Sequence, residues 1–362
     1  IPIDSKNMKT ILPFFLLILF TLSLAAQEQA ASNPRLDSVR ALAMEPSFFK
    51  SFDERNITEV TLETNMKTIF RRPKKGEQWR PMNFTLKDAA GEEHHYEIEA
   101  RLRGNSRQRI CFYKPLKLKF RKKDLAKAGY TKKYNDFKLV THCKGGKYGD
   151  QNLLKEYLVY KMYRELTEKG FGVQLLKINW IDNTGKRKPE TRYGFLIEEM
   201  SEMAARLGGT DCDCKVRNTL AMQQSQFNLM SVFQYMIGNT DWWLKNQHNL
   251  KIVRPFTGER IYPVPYDFDY SGLVGTTYSV PNEKLPIENV QQRFFMGVSK
   301  TEADYQEVLE LFKSKKEGIY AVINNCEWLD SKERDIMLKY LDSFYGIIDR
   351  PRAVRQQFFL KD

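Results

Sequence analysis

The sequence predicts an α+β fold, a small β-rich lobe followed by a helical one. Three observations lead there. Between Ile57 and His142, apolar and polar residues alternate in short runs, the period of half-buried strands. From Asp150 the period lengthens, and Leu154, Leu158, Met162 and Leu166 recur every fourth residue, the stripe of a helix. Beyond about Thr301 the chain reads mostly helical. A length of 362 residues suffices for one large domain or two lobes with a real core. A hydrophobic share of 42% with 23 Phe excludes a disordered chain.

The N-terminal residues read as a targeting segment. "MKTILPFFLLILFTLSLAAQ" starts at Met8 with Lys9, stays apolar from Ile11 to Leu24, and offers a small-x-small pattern at Ser23-Leu24-Ala25. This is the pattern of a secretory signal peptide, short of the roughly 20 apolar residues that span a bilayer. The expected location is secreted or periplasmic, at the cell envelope, with no stable membrane span once the signal is removed. The expected organisation is upstream residues and signal over 1–26, a lead-in over 27–56, a β-rich lobe over 57–200 and a helical lobe over 201–362.

Within the β-rich lobe, "ITEVTLET" alternates as a strand. "MNFTLKD" and "HHYEIEARLRG" flank "AAGEE" as a hairpin, and "KPLKLKF" and "DFKLVTH" are further strands. A helix follows from Asp150, its cap, to Gly170, its stop. "VQLLKINWI" and "TRYGFLIEEM" flank the turn "DNTG" as strands. A second long helix, Thr219 to Gly238, leads into "GNTDWWLKNQHNLKIV". The five cysteines include "DCDC", whose one-residue spacing is poor for structural zinc; ordinary thiols or one or two disulfides are expected.

The formal charge is +13, densest over Arg101–Lys123, which carries ten Lys/Arg and no Asp or Glu. Such a stretch suits a polyanion or phosphate groups. Alternation places Leu116, Leu118 and Phe120 on one strand face, with Lys117 and Lys119 on the other. No recognised nucleic-acid module accompanies the charge, so nucleic acid is not the expected partner.

The chemistry-bearing stretch is Gly238 to Gly272. Phosphoryl transfer needs a cation on the nucleotide phosphates, Mg²⁺ held by hard oxygen ligands, and an acid that orients the acceptor hydroxyl. Asp241 lies in a polar loop and is the base candidate. Asn249 opens the strand "LKIV", and Asp267 ends the return strand "RIYPVPY". A hairpin around "PFTGE" would bring Asn249 and Asp267 together as metal ligands. His248 reads as a hydrogen-bonded loop residue, and Trp242 and Trp243 as packing residues. His94 and His95 point opposite ways on a strand and make no joint metal site.

These pieces resemble the secreted kinase family typified by spore coat protein H (CotH), which has a divergent protein-kinase-like, two-lobed fold. The matching residues are "RLRGNS", "KPLKLKF", "DQNLLKEYL", "RYGFLIEEM", "GNTDW", "HN" and "PYDFDYSG", in the family's order. The resemblance implies ATP-dependent transfer with Mg²⁺ or Mn²⁺ to a hydroxyl, expected to be protein Ser/Thr. It implies Lys117, with Lys119 close behind, as the phosphate-binding lysine, Glu156 as its ion-pair partner, and a hinge at Ile197–Met200 that includes Glu198.

The chain departs from the common kinase pattern. Asp241 and Asn249 are eight apart, and Asn246 satisfies the usual spacing of five. "RGNSRQR" replaces a Gly-rich loop, leaving Arg103, Arg107 or backbone amides for the phosphates. "DFD" offers Asp269 as a second metal ligand. Alternative readings are an exported non-catalytic pseudokinase, an envelope-binding protein, or a small-molecule kinase.

Overall fold

Alternation builds strands wherever the sequence predicts them. The protein is described as a computed structural model covering residues 37, 38, 41, 45–73, 78–88, 90–104, 107–216, 218–298, 301 and 303–359. The signal-peptide expectation lies outside the described residues.

Strands β1 (Thr58–Thr64), β2 (Arg80–Lys87), β3 (Glu93–Leu102), β4 (Leu116–Phe120), β5 (Asp136–Thr141), β6 (Val173–Asp182) and β7 (Glu190–Ile197) form one sheet. It closes into a barrel in the order β1-β2-β3-β4-β5-β7-β6. Antiparallel pairs run round it, and the parallel pairing of β1 with β6 closes it. Closure leaves no exposed strand edge.

Inward positions take the apolar residues of each alternating run: Leu62, Phe84, Leu116, Leu118 and Leu139 are fully buried. The lead-in contributes to this core. Phe48 inserts its ring among Phe84, Tyr96, Phe120 and Phe137, with centroids 5.9, 5.5, 4.5 and 5.7 Å away. Three short helices decorate the barrel: α1 (Met66–Ile69), α2 (Arg107–Ile110) and α3 (Lys122–Lys127). A disulfide between Cys111 and Cys143 ties the end of α2 to the chain just after β5.

The long helix α4 runs Gly146–Leu166, four residues ahead of the expected span at each end. Gly145 caps it, not Asp150, which lies inside the helix 3.3 Å from Arg192. The chain leaves the helix at Thr167, which is extended, so Gly170 is not its stop. Leu154, Leu158, Met162 and Leu166 are all buried, as the stripe predicts. Other sides are buried too, including Glu156, Tyr160 and Tyr163, because barrel residues such as Phe195 and helical residues such as Phe233 enclose α4 in one core.

Beyond the barrel come α5 (Met200–Arg206), β8 (Gly209–Asp211) and α6 (Gln224–Met236). The expected helix over Thr219–Gly238 is divided. A 3-10 turn holds Thr219–Ala221, then Met222 adopts an extended conformation and bridges to Ile261. α6 stops at Met236 because Gly238 takes a left-handed φ of +65°, and a Cβ there would lie 2.0 Å from the Tyr340 hydroxyl. Strands β9 (Leu250–Pro255) and β10 (Tyr262–Pro265) join β8 in a small sheet ordered β10-β9-β8. Helices α7 (Ala303–Ser314), α8 (Lys316–Asn324), α9 (Ser331–Ile348) and α10 (Pro351–Val354) complete the fold. Among the described residues no helix is long and apolar enough to cross a membrane.

Candidate functional site

The β9–β10 hairpin assembles the site. Pro265 pairs with Leu250, and the Tyr266 amide donates to the Asn249 carbonyl at 3.1 Å, so Asn249 and Asp267 emerge at the same open end. Both adopt left-handed backbone, φ +51° and +63°, as does Gln247 at +51°. Asn and Asp tolerate that region better than other non-glycine residues, and such conformations gather at functional sites.

Asn249 reaches back to Asp241. Its Nδ2 donates to the Asp241 carbonyl at 2.8 Å and to Oδ2 at 2.9 Å. His248 Nε2 lies 3.0 Å from Asp241 Oδ1. The Asp241 amide donates to Asn239 Oδ1 at 3.0 Å. The loop is pinched by reciprocal backbone bonds between Trp243 and His248. Asp241 is therefore held from several directions and remains partly exposed.

Asp267 receives the hydroxyl of Tyr160 from α4, which accepts its amide at 2.8 Å. Arg103 stands 3.9 Å from its carboxylate. Carboxylate oxygens of Asp267, Asp269 and Glu156 lie within 4.8 Å of one another. A guanidinium joins two of them: Arg107 donates Nε to Asp269 at 2.7 Å and Nη2 to Glu156 at 2.6 Å. Tyr278 also donates to Asp269, at 2.9 Å.

These neighbours push the titrations apart. Burial favours the neutral form of Asp267, but the charges of Arg107, Arg103 and Lys138 outweigh it and hold its carboxyl below the ordinary value. Burial pushes Asp269 up, and the charge of Asp267 adds to it against Arg107. Glu156 is pushed up to about 8 by burial and by the two aspartates, although Arg107 opposes the shift.

The expected ion pair between Lys117 and Glu156 does not form. Glu156 faces Arg107 inside the protein, whereas Lys117 projects outward and pairs with Asp136 at 2.8 Å. Lys119 is more exposed still, 3.7 Å from Glu99 and 5.2 Å from the Trp79 ring. Glu198 is buried, but its carboxylate accepts from Arg206 at 2.9 and 2.8 Å and from the Gly172 amide at 2.9 Å. It ties the end of β7 to the start of β6. Arg107, a phosphate candidate by sequence, is buried among carboxylates instead.

Sequence reasoning missed Lys138. It sits on β5 opposite Lys117, on the same outward face, but over the Tyr266 ring at 4.2 Å and near Phe171 at 5.8 Å. Burial pushes its ammonium down to about 7, and the charges of Arg103 and Lys251 add to that, while Asp267 opposes it. Its signal was present in "DFKLVTH": one lysine between inward Phe137 and Leu139, on the strand just before the helix that carries Glu156.

His94 pairs with Asp88 at 2.9 Å and His95 with Thr85 at 2.9 Å, so they share no partner in these bonds. Cys212 pairs with Cys214, and Cys326 is a buried free thiol.

No protein-family model and no curated protein sequence matches the chain. Among solved structures it is similar to a Helicobacter pylori proinflammatory kinase, CtkA, at 12% identity and a TM-score of 0.39, over 61% of this chain and 91% of that one.

Proposed function

We propose that this protein is an exported kinase of the CotH type, with a two-lobed kinase-like arrangement, that transfers the γ-phosphoryl group of ATP to a hydroxyl, with protein Ser/Thr as the acceptor. The observation that carries this reading is the β9–β10 hairpin. It delivers Asn249, already bonded to Asp241, and Asp267 to one open end beside Arg103 and Lys138.

The donor set suits Mg²⁺ or Mn²⁺, hard cations that take carboxylate and amide oxygens and keep several waters. Asn249 spends its Nδ2 on Asp241, which leaves Oδ1 as the atom a cation would take. Asp267 is the carboxylate of the cluster that Arg107 does not hydrogen-bond. Glu156 Oε1 is buried without a hydrogen-bond partner and would be satisfied by a cation's hydration shell. The metal would supply charge neutralisation at the transferring phosphoryl oxygens.

The chain's own residues do the rest. Lys138 and Arg103 hold the nucleotide phosphates. Asp241, oriented by Asn249 and His248, accepts the acceptor's hydroxyl proton as the new oxygen–phosphorus bond forms and ADP departs. Arg107 keeps Asp269 and Glu156 in place and relieves the repulsion that three close carboxylates would otherwise produce. Export is supported by the apolar run Ile11–Leu24 and by the Cys111–Cys143 disulfide, which suits an oxidising compartment.

The non-catalytic reading is favoured by one fact: Arg107 already ion-pairs with two of the three clustered carboxylates. Incubation with γ-labelled ATP and Mg²⁺ or Mn²⁺ separates the two. Label reaching a hydroxyl with wild type, and a loss of about 100-fold or more in folded Asp267→Asn, is the expected result. A folded wild-type protein that binds no ATP in the presence of either metal would overturn the kinase reading.

A further inference from the structure

A cleft of about 960 Å³ opens beside the Asp241 loop. Its floor is the small core that includes Val216, Phe227 and Trp242. Trp243 and Val298 stand exposed at its edge, 39% and 52% accessible. Lys215 and Lys245 are exposed lining residues, and the described lining contains no carboxylate. Trp242 is buried, yet its indole Nε1 has no hydrogen-bond partner.

The two walls are fastened together. Gln247, in the Asp241 loop, donates Nε2 to the carbonyls of Cys212 and Cys214 at 3.3 and 3.0 Å. The connector that carries Lys215 and Val216 is thereby held against the loop that carries Asp241, Trp243 and Lys245. The cleft is a built feature of the loop proposed to orient the acceptor.

We propose that this cleft is the acceptor subsite and that it takes a polypeptide with a large apolar side chain flanked by acidic residues. The role as acceptor subsite rests on the phosphotransfer reading above. An apolar floor of this size selects a bulky side chain, and a lysine rim without carboxylates selects its acidic neighbours. Single-stranded nucleic acid fits less well, because Trp242 is buried and leaves Trp243 as the one exposed tryptophan of the lining for a base to stack on.

The test uses the purified chain and fluorescein-labelled peptides centred on Ser-Phe-Glu-Glu, with Phe→Gly and Glu→Lys counterparts, read by fluorescence polarisation. The Phe/Glu peptide is expected to bind at least about tenfold tighter than either counterpart. Trp243→Ala should weaken it about tenfold, and Lys215→Glu/Lys245→Glu should reverse the preference between Glu and Lys peptides. Thermal melts check that both variants fold. Equal binding of all peptides, or a preference untouched by the charge reversal, overturns the proposal. So does tighter binding of an oligonucleotide at the same site, or a dimer that Trp243→Ala dissolves. Binding of Mg-ATP is measured in parallel. Peptide selectivity without ATP binding sinks the phosphotransfer reading and with it the acceptor role, and leaves the cleft a peptide-binding site; ATP binding without selectivity sinks the subsite alone.

Discussion

Lys117 and Lys138 are register partners on neighbouring strands, and both point out of the barrel, yet they occupy different electrostatic worlds. Lys117 on β4 meets Asp136 and solvent. Lys138 on β5 is pressed over Tyr266, with Arg103 and Lys251 nearby and Asp267 as the carboxylate that favours its charge. A shift of one strand separates an ordinary solvated ion pair from a cation kept partly discharged. The residue type is the same, and what differs is whether the hairpin β9–β10 lies against it. A phosphate group gains little from a lysine already satisfied by a carboxylate, and much from several cations that repel one another until an anion arrives.

The contrast can be broken at its most buried point first. Arg107→Met leaves Glu156 and Asp269 without their shared cation, and should lower unfolding stability by roughly 3–5 kcal/mol in chemical denaturation. A loss under about 1 kcal/mol would show that the buried cluster does not depend on the guanidinium. Next in size is Lys138→Met. It should reduce phosphotransfer about 10²–10³-fold in a protein that still folds, whereas Lys117→Met changes it little. The reverse ranking would return the phosphate role to β4.

A pH series sharpens the same comparison. Lys138 titrates at about 7 in the free protein, and a bound polyphosphate would stabilise its charged form and raise that value. ATP binding should therefore take up a proton above pH 7, and affinity should fall as pH rises, by up to about tenfold per unit. Below about 7 the lysine is already charged and this dependence flattens. Calorimetry in buffers of different ionisation enthalpy reads the proton directly, and Lys138→Arg should abolish the uptake. The smallest effect belongs to the outer face: Lys117→Ala should alter stability by about 0–1 kcal/mol, the usual worth of a surface pair that solvent still reaches. A larger loss would mean that Asp136 organises more than its own surface.

Much of the fold was legible in order along the chain. Period-two runs became β1 to β7, the "AAGEE" hairpin formed as expected, and the four-residue stripe of α4 is buried throughout. Helix ends were less legible, because Gly145 and Thr167 act through backbone conformation while Asp150 and Gly170 merely look like caps. The hairpin that joins Asn249 to Asp267 could be read from two strands and a turn. The partner of Glu156 could not, because Arg107 comes from a segment 49 residues away and reaches it only through the folded interior.

By itself the sequence determined which residues alternate, where the helices fall, and that Asp241, Asn249 and Asp267 cluster around one short hairpin. Those are local facts, set by backbone periodicity and by a turn that closes within a few residues. Tertiary structure alone decided which lysine and which arginine meet the carboxylates. Strand order places β5, not β4, against β7, and α4 turns Glu156 into the core towards Arg107. Charge partnership depends on distance and burial, and both are set by chain crossings that no spacing in the sequence records.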